Sequence, residues 1–341
     1  MIFKRTMLLV LALMVTIALV ACANTQEKAD NTPAKTAVRI AYFPNINHAQ
    51  ALLAKDQKMF EKEMGPLAQV SYKTFNSGTP EIEAFFAKAL DLGYIGPGPA
   101  IDGYIKSKGD LVIIAGAANG GSMLVARKGL VFNSPRDFAG KTIGVPNFGN
   151  TQDLMLRNLL AENKIKDVTK GGTVKITQVD NPDVKGLFDQ KQLDMALVPE
   201  PWGTVLVEDC KAKIIYDEKS LWRNGNYPTT VIVARKEFIE KHPDLVEAFL
   251  RADMQATNML KNNSPEALKS VNRQIAATTG KALPDSLLQK SVSRIIFTNN
   301  LDMSALNDFS QVMEKLEIIP ANSSLSGIYD GAPIKSAIKQ Q

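Results

Sequence analysis

The chain has 341 residues, 45% of them apolar, and its 40 Lys and Arg against 35 Asp and Glu leave a formal charge of +5. The charge is scattered, with no basic run interleaved with aromatics, which argues against a nucleic-acid surface. Two histidines (His48, His242) and two cysteines (Cys22, Cys210) give neither a disulfide framework nor metal-ligand spacing, and no cofactor fingerprint is present.

In chain order, Lys4 and Arg5 precede an apolar run from Met7 to Val20, broken only by Thr16, that ends in Leu19-Val20-Ala21-Cys22. The run is short for a membrane span, which needs about 20 residues. A basic start, an apolar stretch and a small residue before the break read as a secretory signal peptide over residues 1–21. The Leu-Val-Ala-Cys end resembles the lipobox of bacterial lipoproteins, which implies an acyl anchor (palmitate) on Cys22. Residues 22–36, small and polar without periodicity, read as a flexible tether. Cys210 is then left as a buried structural thiol rather than a nucleophile.

From Ala37 the pattern is strand, loop, helix, repeated. Strands are expected at Ala37–Phe43, Val70–Phe75, Leu92–Ile95 and Leu111–Ala117. Helices are expected over His48–Glu63, from a Thr79 cap with Pro80 at the first position, and over Ala100–Lys106. A second α/β series follows: strands Lys141–Val145, Val174–Val179, Leu193–Val198 and Ile214–Tyr216, with helices at Thr151–Asn163, after Asn181-Pro182, and at Trp202–Asp209. After Glu237 helices are expected over Phe238–Lys261, Pro265–Thr278, Pro284–Ile296 and Met303–Leu316.

The second series is bracketed by a repeat, MLVARK ending at Lys128 and VIVARK ending at Lys236. This predicts two α/β lobes joined by two crossing strands, with 37–126 and 234–341 as lobe one, its C-terminal part helical, and 127–233 as lobe two. Ligands of open α/β sheets sit beyond the carboxyl ends of the strands. Two lobes on a hinge therefore predict a cleft that closes on a small molecule.

Five loops fall at those strand ends: Pro44–Gln50, Asn76–Thr79, Gly96–Ala100, Pro146–Gln152 and Pro199–Trp202. Each joins glycine or small polar residues to a helix start, where free N–H groups and the positive dipole end receive an anion without a formal cation. Each also has a plainer reading. Thr79, Asn150 and Thr151 are equally helix caps, Gly96–Pro99 a turn, His48 a surface helix start and Trp202 a core residue. Glu200 would repel an anion, so it meets a ligand ammonium, holds a hydroxyl or caps its own helix. The loop Leu221–Thr230 has a cleft-rim mixture of Trp222, Arg223, Tyr227 and Thr229, and Arg223 is the candidate counter-charge unless it is an ordinary surface guanidinium.

The segments YFPNINHAQAL (42–52), FEKEMG (60–65), FNSGTPEIEAF (75–85), ALDLGYIGPGPAI (89–101), SPRDFAGKTIGVPNFGNTQDLMLRNLL (134–160) and LDMALVPEPWGTVLV (193–207) resemble substrate-binding lipoproteins of ABC importers, in the alkanesulfonate, taurine and nitrate branch. The resemblance implies a type II periplasmic binding protein fold and a non-enzymatic transport role. It implies a monomer held by its lipid on the extracytoplasmic side of the cell membrane, which delivers solute to a permease and its cytoplasmic ATPase. By matching position it points to Asn47, His48, Ser77, Gly78, Thr79, Gly96, Pro97, Gly121, Ser122, Asn150, Thr151, Gln152, Glu200 and Trp202. A small anionic organic solute, an aliphatic sulfonate first, is the expected ligand. Nitrate, taurine, a phosphonate or a thiamine-precursor pyrimidine are the alternatives in the same role. An enzyme on the same fold is the remote one.

Overall fold

Two mixed sheets carry the computed structural model, which describes residues 35–66 and 68–340. The expected signal segment, the anchor at Cys22 and the tether as far as residue 34 lie outside the described residues. The first strand, β1, covers Thr36–Tyr42 and so takes the last residue expected in the tether.

The first sheet gathers β1, β2 (Ala68–Thr74), β3 (Leu92–Ile95), β4 (Leu111–Gly120), β10 (Pro228–Arg235) and β11 (Ile295–Phe297) in the order β11-β4-β10-β3-β1-β2. The second gathers β5 (Ser122–Ala126), β6 (Thr142–Val145), β7 (Lys175–Gln178), β8 (Met195–Pro199) and β9 (Lys213–Tyr216) in the order β7-β6-β8-β5-β9. In the first sheet β1 and β3 are parallel and β10 runs antiparallel between β3 and β4. In the second β6 is parallel to β7 and β8, and β5 runs antiparallel between β8 and β9.

The repeated VARK segments are therefore not the crossings. Met123–Ala126 of the first copy lies in β5 of the second sheet, and Val231–Arg235 of the second copy lies in β10 of the first. The boundaries expected at Arg127 and Arg235 move to Gly121 and to the stretch between β9 and β10. The reason is local. Both apolar runs are buried on both faces, as inner strands are, whereas the turn between the sheets is made by Gly120 (φ 71°) and Gly121 (φ 69°). A Cβ on Gly121 would also stand 2.5 Å from Ile295 and 2.9 Å from the Asn47 amide nitrogen.

Among the described residues fourteen α-helices accompany the strands, and several differ from the expected spans. The expected His48–Glu63 helix is two, α1 (Ala49–Asp56) and α2 (Met59–Met64), separated where Lys58 turns left-handed at φ 54°. Next come α3 (Gly78–Phe86), α4 (Pro97–Lys106), α5 (Thr151–Glu162), α6 (Val184–Asp189), α7 (Trp202–Asp209) and α8 (Glu218–Leu221). Expected Phe238–Lys261 divides into α9 (Lys236–Lys241) and α10 (Pro243–Lys261), because His242 precedes a proline and sits outside the helical region at φ −137°. The rest are α11 (Pro265–Thr279), α12 (Asp285–Val292), α13 (Met303–Lys315) and α14 (Ala332–Lys339). The expected helix through Ile296 stops at Val292, since Ile295–Phe297 pairs with β4 as β11.

Alternate residues of each inner strand enter different cores, the period-two signature of a covered sheet. Val38, Ile40 and Tyr42 of β1 pack with α1, α2, α10 and α11, while Ala41 and Phe43 join a second core. That second core is shared: it holds Ile95, Ile113 and Val231 of the first sheet with Leu124, Ile143 and Leu197 of the second. A third core lies on the outer face of the second sheet, with Met123, Val125, Val184, Phe188 and Leu206. Residues Ala37–Gln341 accordingly form a single compact unit. Among the described residues no helix is long and apolar enough to cross a membrane.

Candidate functional site

A small cavity of about 30 Å³ lies between the loops of the two sheets. The first sheet contributes Phe43, Asn45, Asn47 and His48 after β1, Asn76, Ser77 and Gly78 at α3, Gly96 and Pro99 at α4, and Thr229 and Thr230 of β10. The second sheet contributes Pro146, Asn150, Thr151 and Gln152 around the start of α5, with Asn181 and Pro199. The chain thus aims the starts of α1, α3, α4 and α5, each of eight residues or more, at one space. Each start brings unpaired backbone N–H groups and the positive end of the helix dipole.

Local rules fix these starts. Asn150 caps α5 by accepting from the Asp153 N–H at 3.0 Å, and Asp153 accepts from the Gly149 N–H at 2.8 Å. Ser77, not Thr79, stands at the cap of α3, so Thr79 falls inside the helix, exposed, with its hydroxyl 3.4 Å from Asn147. Pro97 opens α4 and is buried beside the cavity rather than lining it, so the Gly-Pro-Gly-Pro segment is mostly first turn rather than loop. Glycines let the walls meet. A Cβ on Gly96 would lie 2.3 Å from the Thr151 hydroxyl, and one on Gly98 2.5 Å from a Leu154 methyl.

Among the described residues no Asp, Glu, Lys or Arg lines this space. His48 packs against Phe43 with ring centroids 4.4 Å apart and the planes tilted by 31°, and its Nδ1 accepts from the Phe43 N–H at 3.3 Å. That leaves the hydrogen on Nε2, and burial pushes the imidazole pKa down to about 3, so His48 is neutral at pH 7. Asn47 donates its amide to the Gly120 carbonyl at 3.0 Å and the Thr229 hydroxyl at 2.7 Å. Four buried side-chain oxygens of lining residues have no hydrogen-bond partner: Asn47 Oδ1, Thr151 Oγ1, Asn181 Oδ1 and Thr230 Oγ1. Such groups are costly unless something in the cavity meets them.

Contacts between the loops of the two sheets close the walls. The Ile46 N–H donates to the Glu200 carbonyl at 2.9 Å, the Trp202 indole to Asn45 Oδ1 at 2.7 Å, and Asn76 to Asp180 at 3.0 Å. Several residues singled out from the sequence stand around the cavity, not in it. Gly121 makes the turn between the sheets, and the Ser122 hydroxyl accepts from the Gln152 amide at 3.0 Å. Glu200 is fully buried. Its carboxylate accepts from the Thr204 hydroxyl at 2.8 Å and N–H at 3.2 Å and faces Arg294 at 3.4 Å, so it caps α7. Burial raises the Glu200 carboxyl above its ordinary value against those partners.

Arg223 and Tyr227 are placed elsewhere. Arg223 is held by Asp302 at 3.0 Å, by Asp308 and by the Ser304 hydroxyl at 2.8 Å, which neutralises the expected counter-charge. Tyr227 is buried with its ring 5.8 Å from that of Trp222. Thr230 and Asn181 had no distinguishing signal in the sequence: one lies within a strand, the other opens a single 3-10 turn. Cys210, half-buried near Asp189, has its thiol pushed up to about 11 by burial, unsuited to nucleophilic work. Among the described residues no group of His, Cys, Asp and Glu is arranged for a metal.

The model of the NMT1-like family matches residues 31–277. The taurine-binding periplasmic protein of Escherichia coli K12 is 28% identical over 220 residues, 64% of this chain and 65% of that protein, so the match spans just under two thirds of that relative. The fold is similar to that of the alkanesulfonate-binding protein SsuA from Xanthomonas axonopodis bound to MOPS (TM-score 0.72, 16% identity, 88% of this chain and 99% of that one). It is similar also to the periplasmic nitrate-binding protein NrtA from Synechocystis (TM-score 0.69, 14% identity, 91% and 90%). These relatives are binding proteins rather than enzymes. The chain belongs to the NMT1-like family and carries the periplasmic-binding-protein fold.

Proposed function

We propose that the chain is an extracytoplasmic solute-binding protein of an ABC importer, anchored through a lipid on Cys22. It captures a small anionic organic solute, an aliphatic sulfonate first, and delivers it as a monomer to a membrane permease driven by a cytoplasmic ATPase. One observation carries the reading. Four helix starts and the unpartnered hydroxyls of Thr151 and Thr230 surround a small cavity that no charged side chain lines among the described residues. The helix ends take the acidic head, and Phe43 with Pro99, Pro146 and Pro199 covers the organic part. Neutral fixed donors give selectivity while allowing release.

Closure follows as a population shift, because the N-terminal turns from the two sheets meet one ligand only when the walls are together. A second reading, a thiamine-precursor pyrimidine in the same transport role, is favoured by the adjacent Phe43 and His48 rings at the cavity wall, centroids 4.4 Å apart.

The test is a thermal-shift screen of residues 23–341, which contain the whole compact unit, against sulfonates, taurine, nitrate, phosphonates and pyrimidines. A ligand at about 100 times its Kd adds roughly 2.7 kcal/mol. Silence from every anion together with a shift from a neutral heterocycle overturns the sulfonate assignment. For the anchor, Cys22→Ala should move the protein from the membrane fraction to the soluble one.

A further inference from the structure

Resting on that reading of the cavity, we infer that the ligand carries a neutral hydrogen-bond donor in addition to its acceptor head, and that Asn47 selects for it. A bare oxyanion or an unsubstituted alkanesulfonate offers only acceptors, and this cavity asks for more.

The argument turns on which way the Asn47 amide faces. Its nitrogen lies 3.0 Å from the Gly120 carbonyl and 2.7 Å from the Thr229 hydroxyl. Exchanging nitrogen and oxygen would set two acceptors against each other at Gly120, so the orientation is fixed. The oxygen that remains is 2% exposed with its residue, belongs to a cavity-lining side chain and has no partner. An amide oxygen accepts and never donates. A ligand group that meets it must therefore supply a hydrogen of its own.

The other unpartnered groups do not impose this. Thr151 and Thr230 carry hydroxyls that rotate to donate or accept, so they fit either kind of ligand atom. Asn181, on the opposite wall, has no partner that fixes its amide. The donor set for the acceptor head is already present in the helix starts and in the Nε2–H of His48. Asn47 alone forces the ligand to be bifunctional.

The donor is a hydroxyl, an amide or a ring amino group, not an ammonium. No carboxylate lines the cavity, and the helix starts present positive ends. A buried ammonium there would be unpaired, which is far costlier than a neutral N–H or O–H.

Calorimetric titration of residues 23–341 with two matched pairs tests this: ethanesulfonate against 2-hydroxyethanesulfonate, and pyrimidine against 4-aminopyrimidine, with taurine as the ammonium case. The expected result is a Kd at least tenfold lower for 2-hydroxyethanesulfonate than for ethanesulfonate, with taurine weaker than the hydroxyl compound. In Asn47→Ala the ratio within the pair should shrink to less than about threefold, with a cooperative melt confirming that the variant is folded. If that variant does not fold, the wild-type ratios decide. Equal affinity for ethanesulfonate and its hydroxyl derivative overturns the inference and leaves the sulfonate reading standing. Binding of 4-aminopyrimidine tenfold over pyrimidine, with no sulfonate bound, overturns the sulfonate reading and upholds the donor requirement.

Discussion

The indole N–H of Trp202 reaches across to the side-chain oxygen of Asn45 at 2.7 Å. Asn45 follows β1 in the first sheet and Trp202 opens α7 beside the second, so the bond spans the two halves of the cavity wall. It exists only while the walls are together. Trp202→Phe keeps most of the ring's burial and removes the donor. A neutral hydrogen bond is worth about 0.5–1.5 kcal/mol, so ligand affinity should fall roughly three- to tenfold by calorimetry. An unchanged Kd would show that this bond does not contribute to closure.

Gly96→Ala is a sharper probe of the same closure. The backbone at Gly96 has φ −69°, which alanine adopts freely, but the added methyl would stand 2.3 Å from the Thr151 hydroxyl. The conflict exists only where α4 and α5 meet. The variant should bind ligand at least about thirtyfold more weakly, a loss of about 2 kcal/mol. It should do so with its melting temperature close to the parent's, as read by calorimetric titration and a thermal scan. A large drop in melting temperature would place the methyl in the folding core instead.

Asp91 is buried between two arginines, accepting from the Arg39 Nε and the Arg235 Nη2, each at 2.7 Å, with the Arg39 N–H at 3.0 Å. These partners hold its carboxyl below the ordinary value although burial pushes the other way. Asp91→Ala leaves Arg235, 8% exposed at its side chain, with only the more exposed Glu237 carboxylate at 3.0 Å. Breaking such a pair costs about 3–5 kcal/mol, so urea unfolding should show a loss of that order with little change in ligand Kd.

Stability against pH should change sign between two variants. Burial raises the Asp253 carboxyl to about 7, against the Tyr94 hydroxyl and the Asn299 amide that both donate to it. The folded state then keeps a proton the unfolded chain has released, so the contribution is full below about 4 and lost as pH rises through about 7. Asp253→Asn has no such loss, and its stability relative to the parent should grow from pH 4 to pH 8. His48, lowered to about 3, works oppositely: its contribution is present above about 6.5 and lost as pH falls. Relative to the parent, His48→Gln should therefore gain as pH falls below about 6.5. Denaturant midpoints at pH 5 and 8 decide both.

The strand-end rule carried much of this site from the sequence. The stretches around Asn47-His48, Ser77-Gly78, Gly96 and Asn150–Gln152 all follow a strand and precede a helix, and all line the cavity. What could not be read were relations set by distant residues. Arg223 looked free because Asp302 and Asp308, which hold it, lie far along the chain. Glu200 stayed undecided between a ligand group and a cap of its own helix; the structure makes it the cap, with a remote partner, Arg294, that the sequence does not announce. The VARK repeat looked like a pair of crossings, yet strand pairing put each copy inside one sheet, and the Gly120-Gly121 pair that turns the chain carries no periodicity to announce it.

That glycine pair also gives the two halves unequal joints. One connection is a single residue between β4 and β5; the other runs from Asp217 to Tyr227 and contains α8. A one-residue joint has almost no slack in length, only freedom of angle, while the longer one stretches and folds. Any motion of one half against the other would then be rotation about a pin at Gly121, with the 217–227 segment taking up the slack. Any side chain at the pin would be strained at φ 69° and would press on Ile295 and on Asn47 of the cavity wall, so the joint and the solute site are coupled through one glycine.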